Sequence, residues 1–274
     1  MTNRAVVADT EVISLYDGHF KSSRDRITDP EGATVDALLA AAPNDPFTLS
    51  NNVFLLRRQG INTLVDTGAG NTMGDTMGKL PEALALAGLR TNDIHHILLT
   101  HLHKDHFGGL VDAAGGAVFS NAELVIHEDE AAFWLDRPAD AFSPRARRFV
   151  EITNEAVAPY RSRLRLVSDG EVLPGISARL APGHTPGHTA WILSAPRRQA
   201  VFWGDLVHVG ALHLPRPQTV MVYDLDPAEA AETRKRFLAW AAEDGVLVAS
   251  SHLDAPGLGT LAIAGAGYAF TPAT

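Results

Sequence analysis

The 274-residue chain contains no cysteine. That excludes a disulfide framework, a thiol nucleophile and any thiolate-ligated metal. It also lacks an apolar run near the roughly 20 residues that a membrane span requires. The first ten residues carry one arginine and the short stretch Ala5-Val6-Val7-Ala8 before Asp9, without the apolar core of a signal peptide. Cytoplasmic residence and no membrane partner are the expectations. There is no excess of positive charge: 23 Lys and Arg face 32 Asp and Glu, for a net charge of -9. Phosphate neutralisation dominates nucleic-acid affinity, so this balance points away from nucleic acid and towards small molecules. The 23 glycines and 16 prolines do not cluster, and no internal repeat of solenoid length is present. Disorder and collagen-like structure are excluded as the main character.

What remains is an ordinary globular composition, 46% hydrophobic and 20% charged, with an unusual 12 histidines. Residues 5–16 read as a strand closed by an Asp17-Gly18 turn. Residues 21–50 form a polar excursion with one helix near 35–42. The apolar runs 53–56 and 61–65 flank Gln59-Gly60, a hairpin signal. Residues 81–89 read as a helix, with Pro81 in its first turn and Gly88 near its end. Strands are expected at 94–100 and 124–126, helices at 128–135 and 144–158, and short strands from 164 to 203. Asp226-Pro227-Ala228-Glu229 starts a helix that runs to about Asp244: Asp caps, Pro takes the first helical position and Glu follows three residues after the cap. A strand at 246–249 follows. No linker is evident, so one domain over residues 1–274 is the simplest reading.

The most informative segment is His101-Leu102-His103-Lys104-Asp105-His106, directly after an expected strand. In extended chain His101 and His103 point to the same side. Asp105 and His106 can open a helical turn and present two more donors. Imidazole and carboxylate suit zinc, and also iron, manganese or cobalt. Further donors sit at comparable places. His184 lies in the tight Gly183-His184-Thr185-Pro186-Gly187-His188-Thr189 loop, Asp205 follows the apolar run 200–203, and His252 follows 246–249. Each follows an apolar run and can sit at a strand end on one rim of a sheet. His188 reads as a structural hydrogen-bonding residue of its loop.

These motifs resemble the metallo-β-lactamase-fold hydrolases, and within them the branch of methyl parathion hydrolase and related quorum-quenching lactonases. The resemblance rests on His101-x-His103-x-Asp105-His106, the 183–189 loop, Gly204-Asp205, His252, the early turn Val65-Asp66-Thr67-Gly68, Phe133-Trp134-Leu135 and the stretch 249–259. It implies an αββα sandwich, two mixed sheets flanked by helices. It also implies two divalent transition-metal ions, zinc first, with Mn2+, Co2+ or Fe2+ as alternatives. His101, His103 and His184 would hold one ion, and Asp105, His106 and His252 the other. Asp205 would bridge them, and Asp66 would orient a ligand histidine.

The implied chemistry is hydrolysis by a metal-bridging hydroxide, which bound water supplies near neutral pH, with Asp105 doubling as proton shuttle. Lactones or aryl esters, acyl-homoserine lactones among them, are the expected substrates, with organophosphate triesters as a promiscuous class. Related lactonases often place Tyr three residues after the bridging Asp. Here that position is His208, which can donate a hydrogen bond to the substrate or act as an acid. Trp134, Phe133 and Phe107 are candidates for an apolar substrate wall. A primary phosphotriesterase and a thioesterase of the glyoxalase II type are the alternatives. The latter usually adds basic residues near its C-terminus, and residues 255–274 contain no Lys or Arg. A homodimer is expected, since relatives often dimerise through the N-terminal region, where the 21–50 excursion lies.

Overall fold

The computed structural model describes residues 3–29, 35–40, 42, 45–196 and 198–273. The first half comprises β1 (Arg4–Val7), β2 (Thr10–Lys21), β3 (Ile27–Thr28), α1 (Val35–Ala40), β4 (Thr48–Arg58), β5 (Ile61–Val65), α2 (Leu80–Leu86), β6 (His96–Leu98), α3 (Lys104–Phe107), β7 (Glu123–His127), α4 (Glu128–Ala131), α5 (Pro144–Val157) and β8 (Leu164–Val167). The second half comprises β9 (Gly170–Leu173), β10 (Ile176–Leu180), β11 (Thr189–Ala195), β12 (Arg198–Phe202), α6 (Gly210–His213), β13 (Val220–Met221), α7 (Pro227–Glu243), β14 (Leu247–Ala249), β15 (Leu258–Ala264) and β16 (Gly267–Pro272).

Two mixed seven-stranded sheets face each other, ordered β1-β2-β4-β5-β6-β7-β8 and β16-β15-β14-β12-β11-β10-β9. Strand alternation builds the layers. Along β4, Phe54 and Leu56 join Trp191, Leu193 and Phe202 of the opposite sheet in the central core. Val53 and Leu55 point the other way, into a core with Leu84, Val150 and Val157 of α2 and α5. Across the molecule Ile192, Val201 and Trp203 pack against Phe237, Leu238 and Ala241 of α7. The result is the expected αββα sandwich. β4 is covered on both faces, so its sequence is a continuous apolar run rather than an alternating one.

Several local signals hold. Gln59 (φ 50) and Gly60 (φ 82) turn β4 into β5 through a two-residue connection with both residues left-handed. Ser143 caps α5, accepting from Ala146 N, and Asp226 caps α7, accepting from Glu229 N. Asp17-Gly18 is different. The expected turn is a bulge inside β2, which continues to Lys21, and the chain turns earlier, at Ala8-Asp9. The cause is tertiary. The buried Asp17 carboxylate accepts from Ala69 N, Leu80 N and Asn51 Nδ2. Gly18 (φ 137) lies so close to Thr76 that an added Cβ would stand 2.0 Å from its carbonyl oxygen.

The 21–50 excursion is shorter than expected, because β4 starts at Thr48; residues 30–34, 41, 43 and 44 of it lie outside the described residues. Within it, β3 pairs with β13, and Val35 of α1, Leu212 of α6 and Met221 of β13 share one apolar cluster. The 128–135 helix is one α-turn followed by a π-helical turn at Ala132–Asp136.

Candidate metal centre

β5 and β6 run parallel, as do β12 and β14, so the segments leaving these strands emerge together at one edge of the sandwich. Asp66 follows β5, the 101–106 segment follows β6, Asp205 follows β12 and His252 follows β14. His103 is the last extended residue before α3, which accounts for the reversal of direction between His103 and His106. The loop bearing His184 joins β10 to β11 and meets the same edge.

Two four-residue clusters result. His101, His103, His184 and Asp205 offer donor atoms within 4.8 Å of one another, and so do Asp105, His106, Asp205 and His252. Asp205 belongs to both. Its Oδ1 lies 2.9 Å from His106 Nε2 and 3.0 Å from His252 Nε2. Its Oδ2 lies 3.1 Å from His184 Nε2 and 3.6 Å from His101 Nε2. The Asp105 carboxylate is 3.6 Å from both His106 Nε2 and His252 Nε2.

The donors fit cations. His103 Nδ1 is 3.0 Å from His101 Nε2 and 2.9 Å from His184 Nε2, so three ring nitrogens converge on one point. Buried His106 Nε2 and His252 Nε2 stand within 3.0 Å of Asp205 Oδ1 but not in hydrogen-bond geometry, and the three atoms have no hydrogen bond to any other described residue. Buried polar atoms are rarely left so. Imidazole and carboxylate donors with no thiolate suit zinc and its first-row neighbours.

The rear nitrogens of the rings decide which nitrogen faces the centre. His252 Nδ1 donates to Ser50 O at 2.9 Å, leaving Nε2 free. His106 Nδ1 lies 2.8 Å from Asp66 Oδ2, and Asp66 also accepts from Thr100 N at 2.8 Å. His184 Nδ1 lies 2.8 Å from Asp224 Oδ1. A carboxylate behind a histidine fixes its tautomer and orientation. His188 does not face the centre. Its Nδ1 donates to Ala181 O at 3.1 Å while Nε2 accepts from Asp205 N at 3.0 Å, so it anchors the backbone of the shared carboxylate. Burial pushes His188 down to about 3, keeping it neutral. Burial, then the neighbouring rings, hold His101 and His103 well below the usual histidine range. Burial also opposes charge on His184, but the Asp205 and Asp224 carboxylates outweigh it and raise His184 to about 9.

The structure brings all seven proposed ligands and Asp66 together. His208 joins them: its Nε2 is 2.9 Å from Asp205 Oδ2 and its ring stacks on His252 at 5.4 Å. The Trp134 ring is 6.0 Å from His103, at the site's border. Phe133 stands behind Trp134, edge-on at 4.8 Å, and lines an open hollow with Arg137 and Pro186. Phe107 is a correction: at 1% exposure it lies in the core beneath α3, packed near Phe149, and forms no substrate wall. It sits one residue past His106, so the turn that brings His106 into the cluster sends the next side chain into the core.

Sequence reasoning missed Asp224, Asn52, Arg234 and Tyr223. Asn52 Nδ2 donates to the carbonyls of Ser250, Ser251 and Leu253, fixing the segment that carries His252. Buried Arg234 donates to Pro217 O and Thr219 O and lies 3.9 Å from Asp224. Tyr223 sets its ring edge-on to His208 at 5.3 Å. None has a local motif. The one available signal was Asp224 standing just before a strong helix start.

The chain matches the family model described as the metallo-beta-lactamase superfamily over residues 46–252 and belongs to that superfamily. It is 25% identical over 123 residues to N-acyl homoserine lactonase AiiA of Bacillus thuringiensis subsp. kurstaki, a match covering 45% of this chain and 42% of that protein. It is 31% identical over 134 residues to a probable metallo-hydrolase of Mycobacterium tuberculosis, covering 46% of this chain and 41% of the relative. Both matches span less than half the length of these curated relatives. Among solved structures, hydrolase AbOPH of the beta lactamase superfamily is similar with a TM-score of 0.91 and 31% identity, covering 100% of this chain and 98% of that one. AidC, a dizinc quorum-quenching lactonase solved with a homoserine product, gives 0.90 and 26% identity, covering 99% and 97%.

Proposed function

We propose that the protein is a dinuclear metal-dependent hydrolase of lactones and related esters, with acyl-homoserine lactones as the leading substrate class and organophosphate triesters as a secondary one. The observation that carries this reading is the Asp205 carboxylate, which turns one oxygen towards each histidine cluster. The likeness to AidC over nearly the whole chain supports the substrate class.

His101, His103 and His184 would hold one ion and Asp105, His106 and His252 the other, with Asp205 shared. Divalent ions there would supply Lewis acidity and water activated near neutral pH. The residues of the chain do the rest. Asp105 and Asp205 bring two negative charges to the pair and leave it net positive, which favours an anionic transition state. Asp105 is the group placed to carry a proton. His208, already within hydrogen-bond distance of Asp205, would donate to a substrate oxygen. His208 and His252 also border a cavity of about 440 Å³, whose walls include Leu49, Leu214, Leu253 and Phe270. Such a cavity suits the apolar arm of a lactone. Zinc is the first candidate metal.

The test has two parts. Elemental analysis of protein prepared without chelator should find about two transition-metal ions per chain; none would sink the dinuclear reading. With metal supplied, a panel of acyl-homoserine lactones, dihydrocoumarin-type lactones, aryl esters and paraoxon-type triesters should rank lactones first. Turnover of triesters above every lactone would make the protein a phosphotriesterase instead.

A further inference from the structure

Glu130 has no part in the reading above. It lies on α4 and is 1% exposed. A buried carboxylate is costly unless its oxygens are satisfied. Here they are satisfied in a specific way. One oxygen accepts from Leu102 N at 2.7 Å. The other accepts from Thr185 Oγ1 at 2.6 Å and Gly187 N at 3.1 Å. Leu102 stands between His101 and His103, Thr185 follows His184, and Gly187 precedes His188.

One carboxylate therefore grips both loops that converge on the three-histidine cluster, one oxygen to each. A direct backbone bond, Thr189 N to Thr100 O, ties the same loops at the strand ends. Glu130 ties them again close to the ligands. The contact is backbone against backbone: a Cβ on Gly187 would lie 2.0 Å from Glu130 N. The shape is therefore built for this loop.

We propose that Glu130 is a positioning residue that sets the spacing of His101 and His103 against His184, and so tunes the affinity of the three-histidine site. The inference rests on the metal-centre reading above. A backbone N–H faces each oxygen, Leu102 on one and Gly187 on the other, so a carboxylate fits and an amide does not. Gln would turn its NH2 either at Leu102 N–H or at the Thr185 and Gly187 donors. Its buried negative charge also stands against the backs of both ligand loops, where it favours a cation in front of them.

The test measures ion binding, not turnover. Competition with a chromophoric chelator should resolve two binding steps in the wild type, and His103→Ala identifies the step belonging to the three-histidine site. Glu130→Gln should weaken that same step by about 10- to 100-fold, the range for groups behind metal ligands, and move the other by less than about threefold. The visible spectrum of the cobalt-loaded variant should change, reporting altered geometry at that ion. Glu130→Asp, which keeps the charge, should recover part of the affinity. If Glu130→Gln does not fold, Thr185→Val removes a single donor and should weaken the same step by less than about tenfold. Equal weakening of both steps, or of neither, overturns the proposal. A wild type that binds no ion would overturn the metal-centre reading itself, which is a different result.

Discussion

Two histidines of the centre are backed by carboxylates, and the two halves of the molecule supply them differently. In the first half Asp66 sits in a turn directly after β5, two residues before Gly68, and binds His106 and the Thr100 backbone. Asp66 and Thr100 stand within two residues of the ends of β5 and β6, and His106, 40 residues from Asp66, lies on α3. In the second half Asp224 comes from an irregular segment between β13 and α7. It reaches His184, accepts from Met221 N at 2.8 Å, and has the guanidinium of Arg234 nearby. The first carboxylate is held by a segment leaving the neighbouring parallel strand, the second by Met221 N with the Arg234 guanidinium 3.9 Å away. Equivalent tasks are done with different degrees of local support.

The largest effect should come from the residue that both clusters share. Asp205→Asn should remove more activity than the roughly 10- to 100-fold typical of groups behind a metal ligand, and should weaken both ions while far-UV circular dichroism stays native. A variant with wild-type turnover and two ions would show that Asp205 does not join the clusters. Next, Asp66→Asn and Asp224→Asn should each weaken ion binding by about 10- to 100-fold, but at different ions. Asp224→Asn should also lower the melting temperature more, because it leaves Arg234 buried without its carboxylate neighbour. Loss of the same ion in both variants, or equal melting temperatures, breaks the comparison.

His208→Ala belongs to the second half alone. It should cost about tenfold more on lactones than on phosphotriesters, the size of one hydrogen bond, when kcat/KM is compared across substrates. Equal losses would remove His208 from substrate recognition. The smallest effect concerns a purely structural group of the first half. Tyr160 donates to Leu110 O at 2.8 Å and accepts from Phe119 N at 3.0 Å. Tyr160→Phe should cost about 1 kcal/mol in urea denaturation with both ions retained. Burial pushes this phenol up to about 12 from 10.0, so the fold favours its neutral form. That contribution is present below pH 10 and is lost as pH rises towards 12, and the Phe variant should lack this part of the alkaline decline.

The clustered donors were legible because they lie in contiguous motifs at the ends of apolar runs, and the sandwich because its strands and capped helices carry local signals. Asp226 capping α7 needs no tertiary information. Asp224, two residues earlier, acquires its role only when β10–β11 and α7 pack beside it. Glu130 reads as one acid among Glu128, Asp129 and Glu130 in the expected 128–135 helix, and only the fold turns it inward. Asp17-Gly18 misled in the same way: a turn signature was used to bend a strand around a buried carboxylate. Phe107 looked like a wall because it adjoins the clustered donors, and one further step along the chain rotated it into the core.

Asp66 itself has a left-handed backbone, φ 64, which glycine adopts far more readily. Replacing it with glycine would relax the turn and delete the carboxylate behind His106 in one step. The relief is worth about 1 kcal/mol, whereas the loss leaves the buried Thr100 N–H and His106 Nδ1 without their acceptor, at about 1 to 3 kcal/mol each, so selection for heat tolerance and selection for catalysis would both hold the acid there.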